Sequence, residues 1–121
     1  MKKKEFKIPI YNYDVTFVEI ESKNDENEAK LLFENFQLEK EDVEHEMNLI
    51  NKESEDGGST YYSLGKKQFL ILIHKITSEI ERRNIINHEK RHVEDRLLRH
   101  CNINDIESAG YLSGFLSEYL Y

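Results

Sequence analysis

At 121 residues the chain has room for one modest hydrophobic core, and 1–121 reads as a single domain with no space for a separate substrate domain. Its 24 acidic residues outnumber 17 Lys and Arg for a formal net charge of −7, which excludes a generic electrostatic grip on nucleic acid or on an anionic membrane. No apolar run approaches the roughly 20 residues of a membrane span, no secretory apolar segment follows Lys2-Lys3-Lys4, and the single Cys101 rules out an internal disulfide, so the chain reads as cytoplasmic.

Phe6, Ile8 and Ile10 alternate with Lys7 and Pro9, and Val15 to Ile20 is rich in β-branched and aromatic residues. This predicts two short strands around a turn centred on Asn12, with Pro9 marking the first as an edge. Asp25 and Glu28 form a capping pair ahead of Ala29, Leu32, Phe33 and Phe36, which recur at helical spacing. From Gln37 to Asp56 the chain is acidic and weakly patterned. Val43, Met47 and Ile50 allow one more helix, while the many charges also suit a long loop or solvated face, with a partner-binding surface as the alternative.

Gly57-Gly58 is expected to break the chain before a strand at Ser59 to Ser63, a turn at Leu64 to Lys67, and a strand at Gln68 to His74. The second strand is apolar on both faces, as a central strand is. No Gly or Pro interrupts Thr77 to Cys101, where Ile76, Ile80, Ile86, Val93, Leu97 and Cys101 form one helical stripe. Lys90 falls in the middle of that stripe and must snorkel or pair with Glu94 one turn on. Asn102 to Asn104 is a turn, and Asp105 caps a last helix running to about Leu120. The expected fold is α+β, a short antiparallel or mixed sheet of about four strands packed on the long helix and the C-terminal helix.

The long helix carries His88-Glu89-Lys90-Arg91-His92, an H-E-x-x-H. At ~100° per residue the two histidines differ by only about 40° and project from one face, one turn apart. Two imidazoles so placed share one zinc ion, and a catalytic zinc acidifies a water whose proton Glu89 would accept. A site of this type needs a third protein ligand, usually a carboxylate on a following helix, and Glu107 is the candidate. Glu107, Tyr111, Gly114 and Glu118 share one stripe of the last helix, opposite Ala109, Leu112, Leu116 and Leu120. In a straight antiparallel hairpin, Glu118 would stand level with His88, and Glu107 would lie on the order of 13 Å away at ~1.5 Å per residue. Glu118 is therefore the alternative ligand.

His88-Glu89-x-x-His92, a short spacer, and Asp105-x-Glu107-x-x-x-Tyr111-x-x-Gly114-x-Leu116 together resemble the small zincin-like metallopeptidases of phages and related mobile elements. More distantly the pattern is similar to the ImmA/IrrE-type metallopeptidases. The resemblance covers roughly Tyr61 to Tyr121 and departs from the family at Lys90 and Arg91, where uncharged residues are usual. It implies a zincin-like domain in which His88, His92 and Glu107 bind Zn2+ and Glu89 is the base. The implied function is a zinc metallopeptidase acting on a peptide or protein substrate, with Tyr111 available to an oxyanion and the Ser59 to Ser63 strand to an extended peptide. The alternative is an inactive acidic interaction module on the same scaffold. His45, His74 and His100 read as solvent-facing or structural, and Cys101 as a buried thiol.

Overall fold

Alternation in the strands and a repeat of three and four in the helices sort the apolar residues of this chain into two separate cores. The computed structural model describes residues 1–52, 57–63, 65–76 and 78–121. Along it run β1 (Lys2–Ile8), β2 (Tyr13–Ile20), a 3-10 turn (Lys23–Asp25), α1 (Glu26–Phe36), α2 (Lys40–Asn51), β3 (Gly57–Ser63), β4 (Gln68–His74), α3 (Glu79–His100) and α4 (Ile106–Leu120). Among the described residues the strands form one four-stranded mixed sheet of order β1-β2-β4-β3. β1 and β2 are antiparallel, β2 and β4 parallel, and β4 and β3 antiparallel.

β4 is central and buried on both faces, as its unbroken apolar run predicts. Phe69, Ile71 and Ile73 join Val15 and Phe17 of β2 on one face, against Ile86, Val93 and Leu97 of α3 and Leu112, Leu116 and Leu120 of α4. Leu70 and Leu72 join Val18 and Ile20 on the other, against Ala29 and Phe33 of α1 and Ile50 of α2. The molecule is thus mixed α and β, with a helical pair on each side of the sheet. The expected packing on the long and C-terminal helices is present, and the acidic stretch adds α2 to a second layer.

Several local expectations are corrected. The capping box belongs to Ser22 and Asp25 and opens the 3-10 turn, rather than to Asp25 and Glu28. The Asp25 carboxylate accepts from the Glu21 and Ser22 amides and from the N-terminal amine. Burial works to raise its pKa, and these donors outweigh burial and hold it below the ordinary value. Gly57 and Gly58 lie inside β3 instead of ahead of it. Ile80, placed on the apolar stripe by periodicity, is exposed. The expected positions at Thr77 and Leu64, and the end of the acidic stretch at residues 53–56, lie outside the described residues.

α3 is continuous to His100, opened by Ser78, whose side chain accepts from the Glu81 amide. Its buried face is narrow, Ile86, Glu89, Val93 and Leu97. Lys90 lies beside that face and snorkels as its position requires. Its ammonium donates to Ser117 at 2.8 Å and Ser113 at 3.2 Å and lies 3.7 Å from Glu94. Those contacts fix the level of α4 against α3.

Candidate metal centre

α3 lies across the edge strand β3, and the close approach of the two builds a cleft. Residues of β3 alternate between the two layers: Ser59 and Tyr61 point toward α2, and Gly58, Thr60 and Tyr62 toward α3. Gly58 permits the contact, because a Cβ there would stand 2.7 Å from Ile85 Cγ2 and 3.0 Å from Glu89 Cγ. The resulting cleft, of about 310 Å³, is lined by Gly58, Ser59, Thr60, Tyr62, His88, Glu89, His92 and Arg96.

The H-E-x-x-H stands on the wall of this cleft. His88 and His92 are exposed on one face of α3, their Nε2 atoms 3.1 Å apart. Glu89 is only 4% exposed, and its carboxylate accepts a 2.9 Å hydrogen bond from Thr60 Oγ1. One side of the motif's turn thus offers two imidazoles to solvent while its carboxylate reaches under them toward the sheet. Arg96 continues the histidine stripe and stacks its guanidinium 3.9 Å from the centre of the Tyr62 ring.

The residues fit a zinc ion in part. Two nitrogens at ~2.0–2.1 Å from a tetrahedral zinc are about 3.3 Å apart, close to the separation of the histidine pair. Among the described residues, however, no group of three or more His, Cys, Asp or Glu is assembled to hold a metal. Glu107 lies in the first turn of α4, exposed, at the far end of the hairpin from His88. The cause is the unbroken course of α3 to His100, which sets Lys90 level with Ser113 and Ser117. Glu118 is nearer in level, yet it too is exposed, as are Tyr111 and Gly114. The face of α4 that meets Lys90 carries serines, and a Cβ on Gly114 would meet nothing within 4 Å, so this glycine does not serve close helix approach. Tyr111 lines a different, apolar groove with Ile8, Pro9, Ile10, Tyr11, Ser108, Leu112 and Phe115.

The other face of β3 holds a site that residue patterns did not suggest. Glu46 of α2 and His74 of β4 are fully buried, with Glu46 Oε1 2.7 Å from His74 Nε2. Tyr61 and Ser59 hydroxyls donate to Glu46 Oε2 at 2.5 and 2.8 Å. Burial works to raise the Glu46 carboxyl, but the bonds from His74, Tyr61 and Ser59 together outweigh it and hold it below the ordinary carboxylate value. Burial and then the facing carboxylate push the Tyr61 phenol well above its usual value, so it remains a donor. His45 is exposed, His100 is exposed with its ring edge-on to Tyr13, and Cys101 is half-buried against the α3 and α4 core.

Comparison with known families, with curated proteins and with solved structures finds no match to this chain.

Proposed function

We propose that the cleft between β3 and α3 is the metal centre of a small zinc-dependent peptidase, with His88 and His92 as protein ligands and Glu89 as the base. The observation that carries this reading is the pairing of a two-imidazole bite of 3.1 Å with a buried carboxylate at one wall of a cleft open along a sheet edge. The helix-on-edge-strand packing supports a zincin-like domain. Zinc held there would supply Lewis acidity to a peptide carbonyl and acidity to a water. Glu89, a buried carboxylate fixed in direction by Thr60, would be placed to take a proton from a water and to return it to the departing amine. The free edge of β3 offers main-chain groups to an extended peptide.

The level of Lys90 against Ser113 and Ser117 favours Glu118 over Glu107 as the carboxylate that would complete the site. The lack of an assembled third ligand among the described residues favours the second reading, an acidic interaction module whose histidines simply hydrogen-bond to each other.

The two readings part on an unstructured substrate such as β-casein incubated with the full chain and added zinc. The first expects zinc-dependent cleavage that disappears in Glu89→Gln while zinc uptake persists. Cleavage unaffected by Glu89→Gln, or none with zinc present, would favour the second.

A further inference from the structure

We propose that Arg96 is an anion anchor, so that the cleft prefers ligands bearing a carboxylate about two residues from the group placed beside Glu89. This rests on the reading of the cleft as a substrate site and does not need the metal. His88, His92 and Arg96 follow one another at intervals of four along α3, and all three line the cleft. Among the lining residues Arg96 is the fixed positive charge; Glu89 is already engaged by Thr60.

The guanidinium is held but not neutralised. Tyr62 covers its flat face at 3.9 Å, and stacking leaves the N–H donors at the rim of the plane available. Of the α3 arginines, Arg82 lies on Glu19 and Arg83 on Glu79, both in the first turns of the helix, and among Arg91, Arg96 and Arg99 it is Arg96 that lines the cleft. Among the described residues no carboxylate pairs with Arg96. A planar cation fixed by an aromatic ring, without a partner, at the wall of a cleft is suited to bidentate recognition of a carboxylate.

Register sets the distance. Thr60 reaches Glu89, and Tyr62, two residues along the same strand, carries Arg96. Two strand residues span about 6.6 Å. An extended ligand alongside β3, with its reacting carbonyl at Glu89, therefore brings a group two residues away to the guanidinium. That carboxylate comes either from an Asp or Glu side chain or from the end of the ligand chain.

The test is an NMR titration of the full chain in EDTA, following the Arg96 Nε–H and the amides of Thr60 to Tyr62. The probes are N-acetyl-Ala-Ala-Ala amide, N-acetyl-Glu-Ala-Ala amide, and N-acetyl-Ala-Ala-Ala with a free carboxyl end. At least one carboxylate peptide is expected to bind tenfold or more tightly than the neutral amide. Arg96→Gln should cut that preference below twofold, and Arg96→Lys should keep part of it; the dispersion of the amide spectrum verifies folding. Whichever carboxylate peptide wins identifies the source. Equal binding of all three, no binding of any, or a preference that survives Arg96→Gln overturns the proposal. Because the titration is free of metal, a chain that fails to bind zinc leaves this outcome standing, and the reverse holds too.

Discussion

Thr60 Oγ1 donates a 2.9 Å hydrogen bond to Glu89, tying the edge strand to the acidic member of the H-E-x-x-H across the layer boundary. On its opposite face the same strand is tied to Glu46 through Ser59 and Tyr61. An edge strand has a hydrogen-bonded neighbour on one side only. Here two carboxylates from helices on opposite sides grip alternate residues of β3, so its position relative to His88 and His92 is fixed from both layers.

Thr60→Val should leave the Glu89 carboxylate buried without its donor. A loss of about 1–3 kcal/mol in urea unfolding is expected, with Thr60→Ser restoring most of it. A Val variant as stable as the parent would mean that Glu89 finds another donor.

Gly58→Ala drives a methyl into Ile85 Cγ2 and the Glu89 side chain. Ile85 is β-branched and on a helix, so it has little freedom to yield. A destabilisation of about 1–3 kcal/mol is expected. The double variant with Ile85→Ala should lose less than the sum of the single changes, which chemical denaturation of the four chains can establish.

What the residue patterns made legible is what periodicity encodes. The hairpin of β1 and β2, the central place of β4, the uninterrupted α3 and the Asp105 cap of α4 all follow from local apolar spacing and capping chemistry. The common face of His88 and His92 follows from the helical turn alone. Which carboxylate of the last helix stands level with the histidine pair was not legible, because a helical wheel gives the direction of Glu107 and Glu118 only relative to their own helix. Lys90 and its serine partners determine how α4 sits. The strand read at Ser59 to Ser63 gave no indication that one of its faces meets Glu89 and the other Glu46. His74 does end β4 as read, but its buried partner Glu46 lies 28 residues earlier on another helix, beyond the reach of local spacing.

The Glu46 cluster gives stability a defined pH dependence. Its carboxyl is lowered in the folded chain from an ordinary value near 4.5, so the unfolded chain binds the proton more readily. The stabilisation is complete above that value and is lost as pH falls through the lower, folded value. Glu46→Gln should flatten the acid limb of the stability profile in that window. Glu46→Ala, which strands the donors of His74, Tyr61 and Ser59, should cost about 3–5 kcal/mol at neutral pH. Acid unfolding of Glu46→Gln that follows the parent would assign the limb to other carboxylates.

Whether His88 and His92 form a zinc bite is decided by metal stoichiometry after equilibration with zinc and gel filtration. One zinc per chain is expected, lost in His88→Ala and in His92→Ala and kept in Glu107→Ala. A parent chain that takes up no zinc, or one whose zinc survives loss of both histidines, would contradict it.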